Sequence, residues 1–148
     1  MTLEQALEMR SGKRLIFTNG VFDILHAGHV RYLEQARALG ELLFVGVNSD
    51  LSARRLGKGP NRPVNSQDDR VAVIEALRAV SGAIVFDEDT PEKLIDILKP
   101  DVHVKGGDYQ VEDLPETRIV RGYGGQVVIL PFLAGRSTTA ILQRLDEE

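Results

Sequence analysis

Apolar positions along the chain come in two textures, short unbroken runs and helically spaced faces. The runs "RLIFTN" (14–19) and "ELLFVGVN" (41–48) are rich in β-branched and aromatic side chains and predict buried strands. Between them Val30, Leu33, Ala36 and Leu39 recur at helical spacing, with Gly40 as the stop, so this stretch predicts one βαβ unit. Ser66 with Asp69 three positions on resembles a capping box, and Val71, Ile74, Ala76, Leu77 and Val80 supply the apolar face of the helix that follows. "AIVF" (83–86) predicts a further strand. Thr90-Pro91 suits an N-cap followed by an N1 proline, opening a helix through Leu94, Ile95 and Leu98 that ends before Pro100. "VHV" (102–104) and "QVVIL" (126–130) predict two more strands, residues 137–145 a last helix, and residues 1–13 a peripheral helix. The alternation predicts an α/β fold, a Rossmann-like, mostly parallel sheet with helices on both faces. No repeat, low-complexity tract or linker divides residues 1–148, so one domain is expected.

Composition narrows the class without choosing a function. A chain that is 43% hydrophobic and 27% charged is expected to be a soluble globular protein. No apolar run approaches membrane-spanning length, and the start, "MTLEQALEMRSGKR", is acidic and lacks a signal-peptide core. There is no cysteine, hence no disulfide framework and no thiolate zinc site; together with the missing export signal this favours the cytoplasm. A formal net charge of −4 argues against a general nucleic-acid binder but leaves room for a local basic patch that holds a phosphate-rich small molecule.

In a parallel sheet, ligands bind beyond the carboxyl ends of the strands. The loop leaving the first predicted strand there reads "NGVFDILHAGHVRYL" (19–33), with His26 and His29 three apart. Gly28 permits close backbone approach, and the helix starting beside it offers free N–H groups and a positive dipole end, so two imidazoles would face an anion such as phosphate. The same pair also fits a metal site lacking a third ligand, or two hydrogen-bonded structural histidines. A second cluster, "ARRLGKGPNRPVNSQDDR" (53–70), carries Arg54, Arg55, Lys58, Arg62 and Arg70. Its glycines and prolines predict a mobile loop able to close over a triphosphate, or simply a solvated one. In "AGRSTTA" (134–140), Ser137, Thr138 and Thr139 stand at a predicted helix start, as a phosphate cradle or as plain N-caps. In "VKGGDY" (104–109), Gly106 and Gly107 allow a flat ligand close to the backbone, or make a tight turn. The chain has no Walker motif, no G-x-G-x-x-G after the first strand and no G-x-S-x-G elbow. Phosphate chemistry without a covalent nucleophile is what remains.

"TNGVFDILHAGHVRYL" resembles the signature of the HxGH nucleotidyltransferase superfamily, and "GRSTT" resembles its second signature, ahead of the final helix. The wider texture, "GVNSD", "RPVNSQDDR", "VKGGDY" and "GRSTT", is most similar to the adenylyltransferases of ADP-heptose synthesis. Glycerol-3-phosphate cytidylyltransferases are a related alternative, but they carry a polar pair where this chain has Phe132-Leu133. The resemblance implies transfer of AMP from ATP, with Mg2+, to a sugar 1-phosphate such as D-glycero-D-manno-heptose 1-phosphate, releasing pyrophosphate. It makes His26, His29 and Lys58 catalytic. It assigns the nucleotide to Thr18, Asn19, Gly20, Phe22, Asp23, Gly28, Lys105, Gly106, Asp108, Arg136, Ser137 and Thr138, and the substrate phosphate to Arg62 and Arg70. No protein metal ligand, nucleic acid or membrane is implied, and a homodimer is expected. A nucleotide-binding regulatory module that has lost turnover is the alternative of another class; the intact histidines and Ser-Thr-Thr run argue against it.

Overall fold

Each run predicted as a strand is one, and its side chains alternate between two cores. In the computed structural model, which describes residues 1–57, 59–131 and 138–147, the strands are β1 (Leu15–Gly20), β2 (Leu42–Asn48), β3 (Gly82–Phe86), β4 (Val102–Gly106) and β5 (Gln126–Leu130). They form one sheet in the order β3-β2-β1-β4-β5, and every neighbouring pair is parallel. Connecting them are α1 (Leu3–Arg10), α2 (Ala27–Arg37), α3 (Asp50–Arg55), α4 (Gln67–Glu75), α5 (Glu92–Leu98), a 3-10 turn (Val111–Asp113), α6 (Thr117–Gly122) and α7 (Thr138–Glu147).

On one face Ile16, Val45, Val102 and Val104 pack with Leu33 and Ala36 of α2 and Ile74 of α4. On the other, Leu15, Phe17 and Phe44 pack with Ala6 of α1, Ile95 and Leu98 of α5 and Val120 of α6. Burial on both faces is why the strands read as unbroken apolar runs. The chain builds β2 and β3 outward from one side of β1 and β4 and β5 from the other, so the connections reverse between β1 and β4. That reversal opens a crevice at the strands' carboxyl ends.

Several local expectations shift. Leu39 lies beyond the end of α2 and is 38% exposed. Gly40 acts through packing: a Cβ there would stand 2.8 Å from Ile16 and 2.9 Å from the Arg14 carbonyl. Ser66 caps α4 by accepting from the Asp69 N–H at 3.3 Å, which is one half of a capping box. The N-cap of α5 is Pro91 rather than Thr90, whose hydroxyl instead donates to Glu92 Oε2 at 3.2 Å. Helices α3 and α6 were not predicted. Ser49 caps the first by accepting from Ser52 N–H, turning part of the expected basic loop into helix. The peripheral helix is α1, capped by Thr2 and Gln5, with the Arg10 guanidinium donating to the Leu98 and Lys99 carbonyls at 2.5 and 2.6 Å.

Close approach within the core occurs at Gly46 in β2, where a Cβ would stand 2.8 Å from the end of the buried Phe17 ring and 3.3 Å from Phe86. Gly46→Ala is therefore expected to cost ~1–3 kcal/mol by overpacking. Urea unfolding checks it: the midpoint falls while the slope stays unchanged.

Candidate active site

A cavity of about 610 Å³ opens at the carboxyl ends of the strands. Its floor is Asn19 and Gly20 of β1, Asn48 of β2, and Lys105 and Gly106 of β4. Phe22, Asp23, His26 and His29 wall it from the loop after β1, Arg62 from the basic loop, and Asp89, Thr90 and Pro91 from the loop after β3. Tyr109 and residues 114–116 close the β4 side.

The two histidines form the first turn of α2. His26 is its N-cap, accepting the Gly28 N–H on Nδ1 at 3.0 Å, and the His26 N–H returns to Nδ1 of His29 at 3.3 Å. This is a capping box in which imidazoles replace the usual hydroxyl and carboxamide. Because each Nδ1 accepts an N–H, each neutral ring carries its proton on Nε2, the tautomer that can donate to a phosphate oxygen. The rings lie 4.0 Å apart, and Phe22 meets His29 edge-on at 5.7 Å. Phe22 sits at φ 50, a left-handed conformation rare for an aromatic residue, over Gly20, whose absent Cβ would stand 3.0 Å from the Phe22 ring. The histidines thus double as a helix cap and as a pair of aligned donors at a helix N-terminus.

Asp23 fastens the basic loop to this turn. Its buried carboxylate accepts from the Val64 N–H at 2.9 Å, the Asn65 N–H at 2.9 Å and Arg62 Nε at 3.1 Å, while Asn65 Nδ2 donates to the Asp23 carbonyl at 2.7 Å. The expectation of a mobile loop does not hold for residues 62–65, which are pinned by these bonds. The basic cluster is also divided: Arg54 and Arg55 lie on α3, where Arg55 pairs with Asp89 at 2.7 Å.

Arg70, expected on a substrate phosphate, is 1% exposed and does not line the cavity. Its guanidinium donates to the carbonyls of Asn65 at 3.0 Å, Val21 at 2.7 Å and Asn48 at 2.8 Å, and pairs with Asp50 at 2.8 Å. With those donors spent on the protein, Arg70 is a strut under the site. Thr18 is likewise behind the lining, its hydroxyl 2.6 Å from the Tyr32 hydroxyl, which donates to the Val104 carbonyl at 3.2 Å. Burial pushes the Tyr32 phenol well above its ordinary range, with the Thr18 bond opposing. Gly28 is buried with its N–H spent on His26, and Asp108 points to solvent. Lys58, Arg136 and Ser137 lie outside the described residues, as do Phe132 and Leu133; Thr138 opens α7.

The structure brings His26, His29, Asn19, Gly20, Phe22, Asp23, Arg62, Lys105 and Gly106 together around one cavity. It adds Asn48, Asp89, Thr90, Tyr109 and Glu116, none of which the sequence singled out as a site residue. Lys105 is pushed below the usual lysine range by burial, against the opposing charge of Glu116, and its Nζ lies 5.5 Å from the Tyr109 ring centre. Glu116 Oε1 is 3.1 Å from Nε2 of His103. Burial raises the Glu116 carboxyl, but the His103 bond and the Lys105 ammonium outweigh it and hold the group below the usual range.

The site is a preorganised anion-binding hollow, with neutral imidazole donors at a helix start, an arginine and a lysine. A family profile described as "Cytidylyltransferase-like" matches residues 17–144, which include β2 to β5, most of β1 and all of the described lining. The D-beta-D-heptose 1-phosphate adenylyltransferase of Bordetella bronchiseptica is 54% identical over 136 residues, 92% of this chain and 84% of that protein. The bifunctional protein HldE of Syntrophotalea carbinolica is 52% identical over 139 residues, 94% of this chain but 28% of that protein, so the chain spans under a third of this longer relative. Among solved structures, the lipopolysaccharide core biosynthesis protein of Thermoplasma volcanium aligns with a TM-score of 0.67 at 33% identity, covering 82% of this chain and 98% of that one. The chain belongs to the cytidylyltransferase-like family of nucleotidyltransferases.

Proposed function

We propose that this chain is an adenylyltransferase that joins AMP from ATP to D-β-D-heptose 1-phosphate, releasing pyrophosphate and leaving an ADP-heptose. The observation that carries the reading is the reciprocal cap of His26 and His29, which fixes the proton of each ring on Nε2 and seats both imidazoles in the lining of the crevice between β1 and β4. The adenylyltransferase relative that matches nearly the whole chain supplies the substrate class.

In this mechanism the triphosphate lies along the β1 turn, and a phosphate oxygen of the sugar attacks the α-phosphorus. One P–O bond forms as the bond to the β-phosphate oxygen breaks. No group of the protein becomes covalently attached. Charge builds on the oxygens around the α-phosphorus and on the leaving pyrophosphate, so fixed donors are what the reaction needs. His26 and His29 serve the first, and Arg62, aimed by Asp23, together with Lys58 the second. Asn19, Gly20, Phe22 and Gly106 contact the nucleotide directly, and Arg136, Ser137 and Thr138 of the second signature are assigned to it as well. Thr18, Gly28 and Asp108 act one layer back, and Arg70 serves the substrate by holding the loop that carries Arg62. The part of the cavity over β2 and β3, with Asn48, Asp89 and Thr90, is left for the sugar.

Mg2+ enters with ATP, where it offsets triphosphate charge. Among the described residues no three His, Asp or Glu side chains gather as a metal-binding group, and Asp23 is already engaged by three donors. Phosphate oxygens and water would supply most of its ligands, the usual manner for this ion. Among the described residues no helix is long and apolar enough to cross a membrane. A cytoplasmic homodimer completes the proposal: ATP supply supports the compartment, and sedimentation equilibrium tests the dimer.

Steady-state kcat/KM for ATP and CTP, each paired with heptose 1-phosphate and glycerol 3-phosphate, tests the assignment. ATP with the heptose is expected to dominate; preference for CTP with glycerol 3-phosphate would overturn it. The histidines are tested separately. His29→Ala is expected to lower kcat by about two to three orders of magnitude in a folded protein. His26→Asn keeps a short acceptor for the Gly28 N–H, so α2 should persist while a comparable share of the rate is lost. Wild-type turnover in both, with unchanged circular dichroism, would return the pair to a purely structural role.

A further inference from the structure

We propose that Glu116, seated on His103, is a positioning residue that fixes a negative charge in the same cavity lining as Lys105 and so keeps the lysine an ammonium, ready for a substrate phosphate. The inference rests on the phosphate-transfer reading above. It concerns residues outside the histidine signature, gathered from β4 and from the segment leading into α6.

Residues two apart on a strand share a face, so His103 and Lys105 project to the same side of β4. His103 is fully buried, packed 5.7 Å from the Phe17 ring, and lies outside the cavity lining; Lys105 and Glu116 are in it. Nδ1 of His103 has no hydrogen-bond partner among the described residues. A ring with a proton on Nδ1 alone would leave a buried donor unanswered, so Nε2 carries a proton and donates to Glu116 Oε1 at 3.1 Å. A buried histidine whose Nε2 is committed in this way orients the carboxylate.

The carboxylate is held from the chain side as well. The Thr117 hydroxyl, next to Glu116, donates to the Val111 carbonyl at 2.5 Å, tying the segment back on itself. Glu116 is 2% exposed, a costly position for a carboxylate unless its charge is used. His103 answers that charge first, and the Lys105 ammonium, which burial alone would discourage, adds to it from the same cavity lining. No ion pair within 4 Å joins the two among the described residues, so the lysine feels Glu116 through space without being neutralised by contact. That geometry favours a charged lysine whose donors still face the cavity. Tyr109, on the same loop, flanks the ammonium at 5.5 Å. The other charged or titratable side chains facing the cavity from neighbouring elements include Asp23, His26, His29, Arg62 and Asp89.

The test uses Glu116→Gln, which keeps an acceptor for His103 but removes the charge, alone and combined with Lys105→Met. NMR of protein labelled at the lysine ε-carbon follows the Lys105 titration without reference to turnover. Losing one partly buried opposite charge is expected to lower the Lys105 midpoint by about one pH unit or more. The alkaline limb of kcat/KM should move down with it. Lys105→Met is expected to cost about 10- to 100-fold in kcat/KM, the loss of one charge-assisted contact, and adding Glu116→Gln should then cost nothing further. An unmoved Lys105 titration in the folded variant, or losses that multiply independently, would overturn the proposal. Should Glu116→Gln fail to fold, Glu116→Asp retracts the charge by one methylene, and a smaller shift in the same direction is expected; no shift there counts equally against it. If the wild-type protein turns over no nucleotide and sugar phosphate, the reading of function fails while the titration still decides the role of Glu116.

Discussion

The guanidinium of Arg70 is the point on which the upper end of the sheet depends. It reaches the carbonyl of Val21 in the turn after β1, that of Asn48 at the end of β2, that of Asn65 in the basic loop, and the carboxylate of Asp50 opening α3. Loop carbonyls buried at a strand end have no ladder partner, and a single planar cation with five donors can satisfy several at once. Desolvating the charge is costly, and Asp50 with three carbonyls offsets it. The return is a rigid junction that adds to the β1–β2 ladder and the Asp23 bonds already joining these segments.

Asp23 extends the same logic one layer toward the cavity. It takes donors from Arg62, Val64 and Asn65, residues 39 to 42 positions away, and so sets the basic loop in fixed relation to the histidine turn. The imidazoles in turn are aligned by each other's backbone. Three tiers result: a buried cation, a buried carboxylate above it, and a pair of neutral donors at the surface of the cavity. Electrostatic preorganisation of this kind lets a site stabilise developing phosphate charge without reorganising as the reaction proceeds.

The β4 side is built with the opposite polarity. There a buried histidine at the bottom orients a carboxylate, and the carboxylate favours a charged lysine. Both halves obey one rule: a buried charge at this sheet end is always answered by another charge or by several hydrogen bonds. The two halves meet across the β1/β4 crevice, the one place in the sheet where the connections diverge and leave room for a ligand.

Much of this was legible in the sequence where the information is local. Apolar runs marked all five strands because both faces of a parallel sheet are buried, and the spacing of Leu33 and Ala36 marked α2. The histidine turn showed itself because its capping partners are two and three residues apart. What the sequence could not reveal lies at long separation. Arg70 stands in a basic cluster and looks like a phosphate ligand; only its placement 49 residues from Val21 and 22 from Asn48 turns it inward. Glu116 has no motif, and its meaning comes from His103, 13 residues back on a different element. Local pattern determined which segments are strand or helix and which turn holds the donors, since those depend on neighbours along the chain. Tertiary structure alone decided which charges face the cavity and which hold it up, because burial and partnership are properties of distant segments brought together.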